Sequence, residues 1–217
     1  TVSTMIKTAS QAGDTDSFHL VSYHVVEAGG VAVQGYFMNW YDIPHINFEK
    51  PWWSASTVDD LSMNKHCFLA VGDAAVSSIS QTYCVIFDKD AAKNYAIDDV
   101  YSTVREGKWT IDNFITMIKD MYQDTNGDGK KDTGDLFGFG YYICNPADVW
   151  YTAFGETITE KNDEGLLDIV FMSDKTVAIL DKLLSFHYDF EPFLKLSTQY
   201  DEETWFVNNQ LVFAPMR

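Results

Sequence analysis

Basic residues are scarce in this chain. Fifteen Lys and Arg stand against 32 Asp and Glu, a formal net charge of −17 over 217 residues. Such a surface repels phosphate backbones and anionic lipid, which argues against nucleic acid as a partner and against docking on a membrane surface. Long apolar runs are missing as well. None reaches the roughly 18 residues of a spanning helix, and the start, Thr1-Val-Ser-Thr, lacks the basic-then-apolar order of a signal peptide. Three cysteines, Cys67, Cys84 and Cys144, are too few and too scattered for a zinc cluster or a disulfide scaffold. Cys67 and Cys84 lie in strand-like runs; a disulfide if those strands are neighbours, or two buried thiols, are both open readings. The histidines show no metal-ligand spacing. There is no Gly-x-Ser-x-Gly elbow, no phosphate loop and no His-Glu-x-x-His, so those catalytic classes have nothing to rest on.

Oxygen ligands, by contrast, are present at a telling spacing. In Asp124-Thr-Asn126-Gly-Asp128-Gly129-Lys130-Lys-Asp132-Thr-Gly-Asp135, oxygen-bearing side chains fall at loop positions one, three, five, nine and twelve, with glycine at six. That register suits calcium, a hard cation that takes about six to eight oxygens at about 2.3–2.6 Å. Asp124, Asn126, Asp128, Asp132 and Asp135 would offer side chains, and Lys130 its backbone carbonyl. A solvated Asp/Asn/Gly turn is the competing reading. The flanks are asymmetric. Thr110 is placed to cap a helix whose apolar face carries Ile111, Phe114, Ile115, Ile118, Met121 and Tyr122, while residues 136–143 read as an aromatic, glycine-rich buried strand. Helix–loop–strand, with Lys131 at position eight and the short Asp135 at twelve, points to a structural ion and away from a calcium sensor.

Elsewhere helix and strand patterns alternate, which argues for an α/β fold. Residues 18–22, 66–71 and 83–87 are expected strands. Residues 28–40 read as a short helix or turn leading to a loop, and residues 42–56, bracketed by Pro44 and Pro51, as that loop. Asn145-Pro146 is placed to open a helix that stops near Gly155. Residues 157–170 read as a hairpin about residues 162–165. A helix beginning at Ser173 is expected to bury Val177, Leu180, Leu183, Leu184 and His187. A short amphipathic helix over 201–208 and a terminal strand over 211–213 complete the chain.

These segments, in order, resemble the extracellular solute-binding proteins of family 1, the substrate-binding lipoproteins of ABC importers, in their carbohydrate-binding branch. The resemblance rests on Gln11-Ala-Gly-Asp14 with Phe18-His-Leu-Val, on Gly35-Tyr-Phe-Met-Asn-Trp40, on Pro44-His-Ile-Asn47 and Lys50-Pro-Trp52-Trp53, on Gly107-Lys-Trp109-Thr-Ile-Asp112-Asn-Phe114, on the acidic loop, and on Trp205-Phe206-Val-Asn208. Ser17 stands where that pattern opens its strand with Asp, and Asp88-Lys89 where it has Asn-Lys. Against that pattern the lipid-anchor cysteine, an earlier strand–helix unit and a long helical C-terminal part are lacking, so the resemblance implies a central piece.

The resemblance implies a type II periplasmic-binding-protein architecture, two α/β lobes joined by a hinge. Lobe one would hold residues 1–106, lobe two residues 107–200 with the calcium loop, and residues 201–217 would return to lobe one. Open sheets of this kind bind ligands beyond the carboxyl ends of their strands. Tyr23, His24, Asp73, Asn145, Asp148 and Trp150 occupy such positions, and Trp53 sits on a loop within reach of the rim. The implied function is capture of a sugar for an ABC permease outside the cell, on the cell surface through a lipid anchor or in the periplasm, with calcium as structural ion and no catalysis. A calcium-stabilised glycoside hydrolase and a calcium-dependent lectin-like module are the alternatives. Among 32 acids, no pair stands out as acid and nucleophile.

Overall fold

The computed structural model describes the chain from Thr1 to Arg217 except Asp98, Thr133, Ile143, Cys144, Gln199 and Tyr200, and except the side chains of residues 145–148. In chain order the elements are α1 (Val2–Ala12), α2 (Val25–Ala32), a 3-10 turn (Trp40–Asp42), α3 (Ala55–Leu61), β1 (Ser62–Met63), β2 (His66–Cys67), α4 (Ser77–Ser80), β3 (Cys84–Phe87), α5 (Lys89–Asn94), α6 (Val100–Arg105), α7 (Ile111–Ile118), β4 (Phe137–Tyr142), α8 (Asn145–Ala153), β5 (Thr159–Lys161), β6 (Leu167–Ile169), α9 (Asp174–Tyr188), β7 (Phe193–Leu196), α10 (Asp201–Val207) and β8 (Leu211–Met216). They form two compact units. One holds Thr1–Ser80 with Thr159–Ile169, the other Gln81–Ile158 with Val170–Arg217.

The division falls elsewhere than the expected break after residue 106. Strand β3 pairs antiparallel with β8, which ties residues 81–106 to the second unit. The hairpin β5–β6 belongs to the first, where the Asn64 N–H donates to Gly165 O at 2.9 Å and Lys161 pairs with Asp59 at 3.3 Å. Residues 201–217, expected to return to the first lobe, lie wholly in the second unit, because β8 is paired on both sides there.

The second unit is built on one mixed sheet in the order β3-β8-β4-β7, with β4 parallel to both β7 and β8. Phe137, Phe139, Tyr141 and Phe213 on its two central strands are fully buried. Helix α7 supplies Phe114 and Ile118, and α9 supplies Phe186. Close packing depends on the glycines of β4. A Cβ on Gly138 would stand 3.0 Å from both Ile118 Cβ and Met121 Cβ, and one on Gly140 would stand 2.9 Å from Leu211 Cδ2. Thr110 caps α7 through the Asn113 N–H, as its sequence predicts.

Three expected elements differ. Residues 18–22 form no strand; the Asp14 carboxylate accepts the Asp16 and Ser17 N–H groups at 3.0 and 3.1 Å and turns the chain there instead. Of residues 66–71, only His66 and Cys67 are strand, paired with β1. Since β2 and β3 belong to different sheets, the disulfide reading fails: Cys67 is a buried free thiol and Cys84 an exposed one. Helix α9 is turned by one residue, about 100°, from the expected face. It buries Thr176, Ile179, Leu183 and Phe186, and leaves Val177, Leu180 and Leu184 exposed. Two apolar stripes compete on that helix, and the one carrying Phe186 and Ile179 takes the core. Thr176 can follow because its hydroxyl meets Tyr151 Oη at 3.2 Å and Ser173 Oγ at 3.1 Å.

Candidate functional site

The loop between Pro51 and Ser54 is pinned to residues 71–73 by backbone bonds. The Asp73 N–H donates to Trp52 O at 2.8 Å, the Ser54 N–H donates to Val71 O at 3.0 Å, and Trp53 and Gly72 form an antiparallel bridge. Only glycine fits at position 72, since a Cβ would come 2.5 Å from Trp52 O. This clamp sets Trp53 and Asp73, twenty positions apart in sequence, on one cavity of about 430 Å³ whose wall also includes Ser54 and Thr57. A half-buried indole, an exposed carboxylate and the hydroxyls of Ser54 and Thr57, themselves 2.8 Å apart, line one cavity and together offer apolar contact and polar groups to a small ring.

Of the other expected ligand residues in the first unit, Tyr23 and His24 do not line that cavity. Tyr23 is half-buried, and its hydroxyl is enclosed without a hydrogen-bond partner among the described residues. His24 stands at the N-cap position of α2 with an exposed ring that makes no cap bond. In the second unit, Asn145 begins α8, and the side chains of Asn145 and Asp148 lie outside the described residues. Trp150 is half-buried against the core, 6.3 Å from Phe139 and 6.1 Å from Phe186 between ring centroids. Within the first unit, the structure therefore brings together two of its four expected ligand residues, Trp53 and Asp73.

A second cavity, of about 690 Å³, opens elsewhere on the first unit. Trp40, Tyr41 and Phe48 form its aromatic wall, and Asn47, Glu49 and Asp59 its polar one. Sequence reasoning read this stretch as a loop and passed over it. The missed signal was three aromatics interleaved with amide and acid side chains over nine residues, 40–48. Phe48 packs edge-on against Trp53 with centroids 5.0 Å apart, and Trp40 against Trp53 at 5.9 Å, so one aromatic cluster contributes to both cavities. Asn39 holds the turn, its Oδ1 accepting the Cys67 N–H at 2.9 Å and the Tyr41 N–H at 3.3 Å.

Residues 124–135, Thr133 aside, form a tight loop between α7 and β4. Gly127 and Gly129 both adopt φ of 72°. Asp124 accepts the N–H groups of Gly127 and Gly129 at 2.6 and 2.9 Å, Asn126 accepts that of Asp128, and Asp128 that of Lys130. Asp132 accepts the Gly134 N–H at 2.8 Å. Asp135 is 1% exposed and accepts from Tyr122 Oη at 3.1 Å and from the Thr125 and Asp132 N–H groups. Burial, and then that bond to Asp135, push the Tyr122 phenol up to about 12. Among the described residues, no group of three His, Cys, Asp or Glu side chains converges at metal-binding distance. Each carboxylate oxygen here retains a lone pair beyond its N–H contact, and among the described residues no Lys or Arg pairs with the buried Asp135. The donor set is therefore chemically fit for a hard cation, though not gathered on one point.

One further buried polar pair lies under β4. Tyr141 Oη and His187 Nε2 are hydrogen-bonded. Burial, and then the nearby Lys195 charge, bring the imidazole down to about 4, and burial drives the Tyr141 phenol well up. With His187 neutral, the phenol donates and the imidazole accepts.

No family model matches the chain, and no curated protein matches it. Among solved structures, the fold is similar to that of the ABC substrate-binding protein Lmo0181 from Listeria monocytogenes, solved in complex with cycloalternan. The TM-score is 0.58 at 15% identity; the match covers 98% of this chain and 50% of that one. The chain thus spans about half the length of that protein.

Proposed function

We propose that this chain is the ligand-capturing part of an ABC importer's solute-binding protein, and that its ligand is a carbohydrate. The observation that carries this reading is the fold likeness over 98% of the chain to a substrate-binding protein whose bound partner is the carbohydrate cycloalternan. The cavity with Trp53 and Asp73 supports it, since an indole face beside a carboxylate is what a sugar ring needs: an apolar face to stack on and a charged acceptor for its hydroxyls. Capture by closure of two lobes about a hinge, delivery to a permease, and residence outside the cell on a lipid anchor or in the periplasm belong to the same proposal. No helix among the described residues is long and apolar enough to cross a membrane. Tyr23, His24, Asn145, Asp148 and Trp150 remain candidate ligand residues alongside Trp53 and Asp73. The mechanism is binding alone, and stability gained only in the ligand-bound state is what closes the protein.

Calcium belongs to the proposal as a structural ion in the loop 124–135, held by side-chain oxygens of Asp124, Asn126, Asp128, Asp132 and Asp135 and the Lys130 carbonyl. It would neutralise the buried Asp135 and fix the turn that aims α7 at β4.

Calorimetric titration of the chain with cycloalternan and with unrelated neutral oligosaccharides, in millimolar calcium, tests the capture. Saturable binding of one glycan class is expected. Asp73→Ala should weaken it about tenfold or more, the worth of one hydrogen bond to a charged group. Binding of no glycan by the folded chain, or binding indifferent to both Trp53→Ala and Asp73→Ala, would count against this site.

A further inference from the structure

The groove walled by Trp40, Tyr41 and Phe48 is absorbed by none of the sites above. Its rings cannot be read as core alone, because Tyr41 is 49% exposed and the groove opens between it and helix α3. The size, about 690 Å³, suits a ligand of two or more rings, since small-molecule pockets run from about 300 to 1,000 Å³. Its polar groups differ in how they are engaged. Asn47 Oδ1 accepts the Glu49 N–H at 2.8 Å, Asp59 is held by Lys161 at 3.3 Å, and the Tyr41 hydroxyl is bonded to Ser62 Oγ at 2.9 Å. Glu49, also in its lining, has an exposed carboxylate that bonds to no side chain among the described residues.

We propose that this groove is a second carbohydrate subsite, separate from the cavity of Trp53 and Asp73, in which Tyr41 and Trp40 stack a sugar ring and the Glu49 carboxylate accepts its hydroxyls. The ligand class rests on the carbohydrate reading above; the location does not. A neutral polyol fits better than an anion, which Glu49 and Asp59 would repel. The two cavities share no lining residue and meet through the contacts of Phe48 and Trp40 with Trp53, so occupying one leaves the lining of the other free. Two separate sugar contacts on one unit would tighten the hold on a long or branched glycan able to reach both, without altering the primary site.

The test is a titration of the whole chain with cycloalternan and with unrelated neutral oligosaccharides, followed by amide NMR shifts or by Trp fluorescence. Glu49→Gln and Tyr41→Ala are compared with Asp73→Ala. Circular dichroism establishes that each variant is folded, and Glu49→Gln, an isosteric change at an exposed position, remains informative if Tyr41→Ala does not fold. Two binding steps are expected. Glu49→Gln should weaken one of them about tenfold and leave the other unchanged, and Asp73→Ala should do the reverse. A single step lost with Asp73→Ala and untouched by Glu49→Gln overturns the subsite while leaving the capture function standing. No glycan binding at all overturns both. Saturable binding of tetramethylammonium with shifts at residues 40–49, where sugars cause none, identifies the groove as a cation cage and also overturns the proposal.

Discussion

At the scale of single residues, positions that matter most here are small or buried. Gly72 lets the Trp52 carbonyl approach and so places Trp53 beside Asp73, a pairing that no local pattern announced. Sequence position nominated both residues, one as a rim tryptophan and one as a strand-end acid. Their adjacency became visible only once the backbone clamp was seen. His187 was expected on the buried face of its helix and is instead half-buried beside Tyr141, at the margin between two apolar stripes. Its imidazole, lowered from 6.5 to about 4, gives a pH prediction. Between those two values the unfolded chain binds a proton that the folded chain does not, so this group's stabilisation is complete above pH 6.5 and is lost as pH falls toward 4. Chemical denaturation between pH 7 and 4 should show stability declining with acid. His187→Gln, which keeps an acceptor for the Tyr141 hydroxyl but cannot titrate, should flatten that part of the slope. An unchanged slope in the variant would mean that other groups carry it.

At the scale of elements, capped and patterned segments survived, as did the strand runs that became β3 and β4, while the runs over 18–22 and 68–71 did not. Helix α7, its Thr110 cap, the hairpin β5–β6, α10 and β8 lie where the sequence put them, because cap chemistry and alternation act locally. Residues 18–22 failed as a strand because a strand needs a partner, and sequence alone supplies none. Helix α9 failed in phase because Leu, Val, Ile and Phe occupy more than one of its faces, and only packing against β4 and β7 selects among them. The loop 124–135 makes its own prediction at this scale. Calcium present at about 100 times its Kd should add about 2.7 kcal/mol of stability, and a melt of the chain should rise by several degrees over one in EDTA. Asp124→Ala should abolish that rise by removing the carboxylate that accepts both the Gly127 and the Gly129 N–H. A melt indifferent to EDTA would mean the loop closes on its own hydrogen bonds.

At the scale of the whole molecule, α/β character was legible in the order of motifs, and the mixed sheet with its helices and the similarity of fold to a substrate-binding protein bear out that much. The partition was not legible. Residues 81–106 and 159–169 change sides relative to the expected division, because sheet pairing over long sequence separations decides which unit owns a segment. The chain crosses between units at 80–81, 158–159 and 169–170, three places instead of the two expected. Capture of a carbohydrate is the central claim, and the measurement that bears on it most directly is thermal unfolding across a panel of neutral oligosaccharides in millimolar calcium. A rise of several degrees confined to one glycan class is expected; a cooperative melt that no glycan moves would contradict it.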